Sequence, residues 1–249
     1  MKNSLKVISN GLTYENPFVL ASGPPTASSE QIIKAFKLGW GGAVTKTIKV
    51  ADVKSSNVTP RFAALKNRSY VYGFENIEMV SEKNADYWID EIDRIKDLYP
   101  EKILIASVMG TRGVDTWVEI TELMNKTSAD AVELNFSCPN GVTSQGLGMA
   151  IGQDYEVIEM LTKAVKSVSK IPVIVKLTPN VSSISSAANA ALKGGADGIC
   201  AINTVLSIAG VDLDTLTPYP NVGGKSTYGG LSGYCVKPIG LRCVAEVSS

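Results

Sequence analysis

Ala131-Val-Glu-Leu-Asn-Phe-Ser-Cys-Pro-Asn140 begins as a run typical of a buried strand and ends in polar, reactive side chains. The predicted strand covers residues 131–136, and Pro139 then ends regular strand pairing. An amide, a hydroxyl and a thiol at the end of a rigid strand are typical of a site mounted on a scaffold. The chain contains no histidine, so an acid or base that works near neutral pH must be another residue type. Cysteine is the candidate, since its unperturbed pKa of about 8.5 lies nearest that range.

Five more apolar runs of strand type occur along the chain, three before and two after this one. Between them lie amphipathic stretches whose apolar residues recur at helical spacing, as in Trp88, Ile92 and Ile95. Alternating strands and helices predict an α/β fold with a parallel sheet, and nearly continuous apolar strands are typical of a sheet buried on both faces. The strand runs are residues 18–21, 43–47, 103–108, 173–177 and 198–203, and the main helical stretches are residues 28–39, 88–95, 117–124, 154–168, 184–193 and 237–247.

Several helix ends are marked by residues with known end preferences. Ser28-x-x-Gln31 predicts a capping box at the start of the first helix. Asp154 is the predicted N-cap of the helix over residues 154–168. Gly194-Gly195 predicts the end of the alanine-rich helix over residues 184–193. These signals set the expected helix boundaries.

A short phrase recurs between a helix and the strand that follows it. It appears as Ser128-Ala-Asp-Ala131 and again as Gly195-Ala-Asp-Gly198. Such a repeat favours a (β/α) barrel over a doubly wound sheet. The absence of a G-x-G-x-x-G sequence after the first strand also argues against a dinucleotide-binding fold.

The composition restricts the class of protein. The 249 residues fit one α/β domain or two small ones. The 24 lysines and arginines balance the 24 aspartates and glutamates, so no excess of charge favours nucleic acid. No apolar run approaches the roughly 18 residues that span a bilayer, and no signal peptide is evident. We therefore predict a cytoplasmic protein with no membrane or nucleic-acid partner.

The four cysteines differ in their surroundings. None belongs to a Cys-x-x-Cys pair, so the sequence predicts no structural zinc, iron–sulfur cluster or other metal. Cys138 follows a strand end between Ser137 and Pro139, which favours a catalytic acid over a buried thiol acting as a small hydrophobe. The other three, Cys200, Cys235 and Cys243, are predicted to be structural.

Further polar residues lie at the predicted carboxyl ends of strands, where barrels carry their chemistry. Lys46 and Lys176 could be side chains whose charges reach water, but two lysines at one barrel mouth favour an anionic or electron-rich ligand such as a reduced flavin. Amides can serve turns, yet several together match a planar ring that alternates N–H and C=O groups. These amides are Asn76, Asn135 and Asn203, which is followed by Thr204.

The segment 221–233 is rich in glycine. Such a segment can present backbone N–H groups to a phosphate. A flexible surface loop is at least equally compatible with this composition.

These residues together resemble the flavin-containing, pyrimidine-binding domain of the dihydropyrimidine dehydrogenases, which is grouped with the class 1 dihydroorotate dehydrogenases. The phrases around Asn76 and Tyr228 look more like the dihydropyrimidine branch, whereas Asn140 is closer to the dihydroorotate branch. The similar phrases run in family order over almost the whole chain. They are Asn16-Pro-Phe-Val-Leu-Ala-Ser22, Thr45-Lys-Thr47, Asn76-Ile-Glu78, Glu133-Leu-Asn-Phe-Ser-Cys-Pro139, Lys176-Leu-Thr-Pro-Asn180, Gly194-Gly-Ala-Asp-Gly198, Asn203-Thr204 and Tyr228-Gly-Gly-Leu-Ser-Gly233.

The resemblance implies a (β/α)8 TIM barrel that holds FMN at its mouth. It implies that Cys138 donates and accepts the proton at pyrimidine C5, opposite the hydride that passes between the flavin and C6. The loop of residues 141–152 contains four glycines and is predicted to be a mobile lid over the ring. The implied pyrimidine contacts are Asn76, Asn135, Ser137, Asn203 and Thr204, and the implied FMN contacts are Ser22, Lys46, Thr47, Lys176 and Gly233.

The sequence departs from that family in length. Only about six of the eight β/α units can be counted, so we predict one incomplete FMN-dependent barrel domain over residues 1–249. The last two units and their FMN phosphate loops are missing from it. We therefore expect the chain to be a fragment, a truncated gene product, or a chain whose barrel is completed by another copy or by a partner.

The resemblance and the departure in length leave three possible functions. The first is reduction of the C5=C6 bond of uracil or thymine, with electrons from a partner chain that carries NAD(P)H, FAD and iron–sulfur clusters. The second is oxidation of dihydroorotate to orotate. The third is a catalytically inactive truncated barrel. A homo-oligomer is also expected from the uncovered barrel edges.

Overall fold

The computed structural model describes residues 5–50, 58–137, 149–226 and 228–249. Its strands are β1 (Val7–Ser9), β2 (Leu12–Tyr14), β3 (Val19–Leu20), β4 (Gly42–Val44), β5 (Ile48–Lys49), β6 (Phe62–Asn67), β7 (Tyr70–Asn76), β8 (Ile103–Met109), β9 (Ala131–Asn135), β10 (Val173–Leu177), β11 (Gly198–Ala201), β12 (Val205–Ser207), β13 (Gly210–Asp212), β14 (Thr217–Tyr219) and β15 (Gly229–Ser232). Its α-helices are α1 (Ser29–Lys37), α2 (Ala85–Leu98), α3 (Val114–Met124), α4 (Met149–Gly152), α5 (Tyr155–Val168), α6 (Ile184–Lys193) and α7 (Lys237–Ser248).

Six parallel strands form a curled half-barrel. Their order across the sheet is β11-β10-β9-β8-β4-β3, and β5 pairs additionally with β8. The six strands are arranged in the sheet in their order along the chain, and at least one α-helix lies between each neighbouring pair. This is the connectivity of a (β/α) barrel. The predicted fold class, a TIM-barrel-type sheet with six of its units present, is confirmed.

Both faces of the half-barrel are buried, as the apolar strand runs predicted. On the outer face, Val173, Val175 and Leu177 pack in the main core with the helices. Ile174, which points the opposite way in the same strand, packs in a second, inner cluster with Tyr14 from the β1–β2 hairpin. The hairpin therefore covers part of the barrel interior.

The helices bury the stripes that the sequence predicted. Trp88, Ile92 and Ile95 of α2 are fully buried. Asp154 caps α5, since its Oδ1 accepts a hydrogen bond from Val157 N at 3.2 Å. The helix α6 has the predicted bounds and ends at Gly194. Local periodicity and capping residues were sufficient for these elements.

The predicted capping box of α1 is wrong. Ser28 does occupy the N-cap position, but its side chain makes no capping hydrogen bond. The hydroxyl of Tyr87, from α2, instead accepts a hydrogen bond from Ser29 N at 3.4 Å. A tertiary contact thus satisfies one of the backbone donors at the start of α1 that have no partner within the helix.

Two antiparallel sheets interrupt the predicted alternation of strand and helix. The larger has the order β12-β15-β7-β6, and the smaller pairs β13 with β14. The strands β7 and β15 are far apart in the chain, with Asn76 opposite Gly230. Short strands that pair over such a distance give little local signal, so the sequence did not predict this sheet.

Residues 229–232 of the glycine-rich segment form strand β15. This part of the segment is therefore neither a phosphate-binding loop nor a flexible surface loop, the two forms that the sequence suggested. Its glycines permit close approach of the backbone. A Cβ atom at Gly229 would lie 2.5 Å from Glu75 Cγ, and one at Gly230 would lie 2.2 Å from Thr204 Oγ1. Residues with side chains could not occupy these positions without displacing Glu75 and Thr204.

Glu75 is fully buried in the antiparallel sheet. One carboxylate oxygen accepts a hydrogen bond from Ser207 Oγ at 2.7 Å. The other oxygen, Oε1, has no hydrogen-bond partner among the residues that the structure describes. Burial raises the pKa of this carboxyl above its ordinary value, and the bond from Ser207 opposes that rise only in part.

We expect Glu75→Gln to gain stability relative to the wild type as the pH rises above about 4.5, the ordinary carboxyl pKa. Because the folded-state pKa is raised, the buried charge costs stability above the unfolded-state pKa, and this cost disappears as the pH falls below it. Urea unfolding of both proteins near pH 4 and near pH 7 measures the difference. Glu122→Gln, at an exposed position of α3, is the control. A difference that does not change with pH would contradict the expectation.

Cys200 lies on the inner side of β11 and is partly exposed, although the sequence placed it inside an apolar strand. It lines an inner cavity of about 340 Å³ together with Glu133. Desolvation, followed by the charge of Glu133, raises the pKa of the Cys200 thiol to about 12. The thiol therefore stays protonated at neutral pH, in keeping with its predicted structural role.

Within the described ranges, none of the helices combines the length and the apolar character that crossing a bilayer requires.

Candidate active site

A cavity of about 300 Å³ opens at the carboxyl ends of the half-barrel strands. The antiparallel sheet forms one of its walls through Asn76 and Ser232. In a parallel barrel this is the end that carries chemistry. The cavity is lined by Leu20, Ala21, Ser22, Gly23, Pro24, Pro25, Lys46, Thr47, Asn76, Glu78, Met79, Val80, Asn135, Lys176, Asn203, Thr204 and Ser232.

Two buried lysines give the cavity its positive charge. Lys46 follows β4 and Lys176 lies within β10, and each is only 5% exposed. Lys46 Nζ forms an ion pair with Glu78 Oε1 at 2.7 Å. Arg61 Nε lies 3.6 Å from the same carboxylate oxygen. The wall around Glu78 thus combines one carboxylate with two cations.

A chain of hydrogen bonds connects the strand ends beneath the cavity. Thr47 Oγ1 lies 3.1 Å from Ser107 Oγ and 3.4 Å from Ser22 Oγ. It also accepts a hydrogen bond from Asn135 Nδ2 at 2.8 Å. These contacts join the residues that follow β3 and β4 to Ser107 within β8 and to the end of β9, so side chains distant in sequence share one rigid frame.

The same chain continues to the end of β11. Asn135 Oδ1 accepts hydrogen bonds from the backbone N and the Oγ of Ser137, at 3.2 and 2.8 Å. Ser137 Oγ in turn accepts a hydrogen bond from Asn203 Nδ2 at 2.8 Å. Asn203 Oδ1 accepts from Thr204 N, also at 2.8 Å.

These contacts define the orientation of two amides. The Oδ1 atoms of Asn135 and Asn203 are turned to partners within the protein. Each Nδ2 donates one hydrogen bond to a described residue, and an amide nitrogen carries two hydrogens. One N–H of each amide therefore has no partner among the described residues, and an N–H of this kind can bind a carbonyl oxygen.

Asn76 couples the antiparallel sheet to the cavity wall. Its Nδ2 donates to Gly230 O at 3.3 Å, and its Oδ1 accepts from Glu78 N at 3.2 Å. The asparagine therefore connects β7 with β15 and holds the turn that brings Glu78 to the cavity.

The structure brings together eight of the residues that the sequence selected. Ser137 lies beside the cavity, where it is bonded to Asn135 and Asn203. Gly233 is not among the lining residues, because it begins a 3-10 helix with a φ of 94° and packs against Gly73. The eight lining residues are Ser22, Lys46, Thr47, Asn76, Asn135, Lys176, Asn203 and Thr204.

Cys138 lies outside the described residues, as does residue range 141–148 of the predicted lid. The neighbouring Ser137 is described and is fully buried in the hydrogen-bonded chain. The predicted proton-transfer role of Cys138 and the predicted lid stay predictions.

Sequence reasoning missed three polar residues of the site. Glu78 was part of a phrase quoted for its resemblance but received no role, although a carboxylate two residues after Asn76 was a usable signal. Ser232 lines the cavity only because β15 joins the antiparallel sheet. Ser107 lies within an apolar strand, and only its contact with Thr47 reveals it.

The sequence matches the family described as dihydroorotate dehydrogenase over residues 4–249. The chain belongs to the dihydroorotate dehydrogenase family. The match spans the half-barrel and the antiparallel sheets together.

The relatives in this family are dehydrogenases by name. The chain is 40% identical to the chloroplastic dihydropyrimidine dehydrogenase (NADP(+)) of Arabidopsis thaliana, over 98% of this chain and 59% of that protein. It is 40% identical to the NAD-dependent dihydropyrimidine dehydrogenase subunit PreA of Escherichia coli, over 99% and 59%. It is 39% identical to the catalytic subunit of dihydroorotate dehydrogenase B (NAD(+)) of Pyrococcus abyssi, over 96% and 74%. The chain thus spans about three fifths of the two dihydropyrimidine dehydrogenases.

Proposed function

We propose that this chain is the pyrimidine-binding part of an FMN-dependent oxidoreductase that reduces the C5=C6 bond of uracil or thymine. The observation that carries the proposal is the set of oriented polar groups around one cavity. The available N–H groups of Asn135 and Asn203 complement ring carbonyls. The names of the two 40% identical relatives support the same substrate class.

Glu78 favours an uncharged pyrimidine over orotate. Its carboxylate lines the cavity and is 8% exposed. Such a group accepts hydrogen bonds from ring N–H groups, which uracil and thymine carry. The same carboxylate would repel the carboxylate of orotate across a poorly solvated cavity. The neighbouring lysines Lys46 and Lys176 oppose this repulsion in part.

The residues present fit a flavin in their chemistry. Two ammonium groups, of Lys46 and Lys176, line one cavity together with the hydroxyls of Ser22 and Thr47. Cations beside an electron-rich ring would stabilise its reduced form. When bound, FMN would supply the hydride that adds to pyrimidine C6. Lys46, Lys176, Ser22 and Thr47 would hold it, and Gly233 is the further FMN contact that the family resemblance implies.

Cys138 would supply the proton of the reaction. Reduction of C5=C6 needs a hydride at one carbon and a proton at the other. The thiol would transfer its proton to C5 on the face opposite the hydride, which leaves a thiolate that regains a proton from solvent. Ser137 next to it is fixed by Asn135 and Asn203, so the residue before the thiol has a defined position.

The electrons would come from a partner chain that binds NAD(P)H. The E. coli relative is named as a subunit, and both dihydropyrimidine relatives are named for NAD or NADP(+). A partner with FAD and iron–sulfur clusters would connect the nicotinamide to this site. Because the Arabidopsis relative is named as chloroplastic, cytoplasmic residence stays a prediction.

A comparison of substrates tests the proposal. The chain is reconstituted with FMN and reduced, and oxidation of the flavin is followed after addition of uracil, thymine or orotate. We expect uracil and thymine to reoxidise the flavin, and orotate to do so at least about tenfold more slowly because of the charge of Glu78. Glu78→Gln is the matched variant, and it is expected to narrow the difference.

A second function is favoured by one comparison. The dihydroorotate dehydrogenase of P. abyssi is 39% identical and is covered over a larger share of its length. Rapid turnover of orotate with none of uracil would support dihydroorotate oxidation and overturn the proposal. A chain that binds FMN but reacts with neither pyrimidine would indicate the inactive barrel.

A further inference from the structure

We propose that Asn180 is a positioning residue that sets the place of Asn203 and Thr204 in the cavity. This inference rests on the proposed pyrimidine-binding function. Asn180 itself is not a lining residue of the cavity. It follows β10 and acts on the segment that leads from β11 of the half-barrel into β12 of the antiparallel sheet.

The side-chain amide of Asn180 is fully engaged. Its Nδ2 donates to Thr178 Oγ1 at 2.9 Å and to Thr204 O at 3.2 Å. Its Oδ1 accepts from Leu206 N at 2.9 Å. Both amide hydrogens and the amide oxygen thus have partners, and two of the three partners belong to the backbone of residues 204–206.

This pattern reproduces the hydrogen bonds of a neighbouring strand. β12 lies at the edge of the antiparallel sheet and pairs only with β15 among the described strands. A carbonyl and the N–H two residues later point from one side of such a strand. Asn180 binds this pair and takes the place that another strand would occupy at the edge.

The segment is also fixed immediately before this point. Asn203 N donates to Leu177 O of β10 at 3.0 Å. Residues 203–206 are therefore held by β10 and by the turn that follows it, on either side of the Thr204 side chain. Because Asn203 Nδ2 must reach Ser137 Oγ, a shift of this backbone would disturb the donor that faces the ligand.

The positioning role requires the side-chain amide of Asn180, and the substitution Asn180→Asp tests this requirement. Aspartate has nearly the same shape and keeps an acceptor for Leu206 N. It replaces the Nδ2 donor by an oxygen that faces Thr204 O, so the two oxygens repel each other. Asn180→Ala removes all three contacts without repulsion.

Asn125 offers a matched control. Its Nδ2 donates to Val168 O at 2.8 Å, and its Oδ1 accepts from Lys170 N at 2.9 Å. This is the same carbonyl and N–H pair, two residues apart, that Asn180 binds. Asn125 follows α3 and contacts the end of α5, so it lies outside the cavity lining.

The experiment measures the KM and kcat for uracil of the FMN-loaded full chain, together with hydrogen–deuterium exchange over residues 202–208. In Asn180→Asp and Asn180→Ala we expect KM to rise about tenfold, kcat to change little, and exchange of this segment to accelerate about tenfold. Asn125→Ala is expected to lower the melting temperature by a similar amount and to change neither KM nor exchange at 202–208.

Each outcome decides one claim. An unchanged KM with normal turnover in both Asn180 variants, or a KM rise equal to that of Asn125→Ala, overturns the positioning role. Unchanged exchange at 202–208 overturns it whatever the substrate is. A wild-type chain that does not react with uracil contradicts the proposed function, and accelerated exchange in the Asn180 variants would still support the positioning of this segment.

Discussion

Replacing Cys138 by alanine is expected to lower the kcat for uracil reduction by about 10²- to 10⁴-fold, the range that a positioned general acid contributes. The described part of the chain has no other thiol at the cavity, and the sequence has no histidine. The hydride step would lack its accompanying proton in the variant. Single-turnover oxidation of the reduced, FMN-loaded chain by uracil measures the effect.

Cys243→Ala is the control for this prediction. Cys243 is buried in α7 and takes no part in the cavity, so its removal should leave kcat unchanged. FMN content and uracil affinity are measured for both variants, since a proton donor affects the chemical step rather than ground-state binding. A Cys138→Ala chain with wild-type kcat would remove the proton-transfer role.

The second large effect concerns folding stability. Lys46→Met is expected to lower the free energy of unfolding by about 3–5 kcal/mol, because it removes from the buried carboxylate of Glu78 the cation that lies closest to it among the described residues. The two side chains are 7% and 5% exposed, so solvent screens the pair little. Arg61 at 3.6 Å compensates in part and places the expected value at the lower end. Urea unfolding followed by circular dichroism gives the value.

A double variant and an exposed ion pair serve as controls. Lys46→Met combined with Glu78→Gln should recover most of the lost stability, since the buried carboxylate that lost its ion pair with Lys46 is then replaced by a neutral amide. Lys166 pairs with Asp197 at 2.5 Å, but both side chains are more than 30% exposed (38% and 34%). Lys166→Met should therefore cost only about 0–1 kcal/mol. A Lys46→Met cost as small as that of Lys166→Met would show that the buried pair is not stabilising.

The half-barrel and the antiparallel sheet both line the cavity, and we expect them to differ in how well they tolerate substitutions. The half-barrel contributes lysines and amides from strand ends that are buried on both faces. The antiparallel sheet contributes Asn76 and Ser232 from strands that expose aromatic residues such as Phe74. We therefore expect sequence changes at the strand ends of the half-barrel to affect stability and ligand binding together.

The sequence by itself determined the half-barrel. Its strands and helices are local patterns, since the stripe of Trp88, Ile92 and Ile95 has helical spacing and residues 173–177 form a continuous apolar run. The polar residues at the strand ends were also visible, because parallel strands bring their carboxyl ends to one edge. Periodicity and end preferences act over a few residues, so one sequence is enough to reveal them.

Only the tertiary structure decided how the cavity is completed and how its groups are oriented. Glu78 reaches the cavity through an antiparallel sheet in which Asn76 lies opposite Gly230. Asn180 binds the backbone at the start of β12, a strand that begins 25 residues later at Val205. Ser107 is connected to the site by its contact with Thr47. Hydrogen bonds and pairing between distant segments have no periodic signature, because their partners are brought together only when the chain is folded.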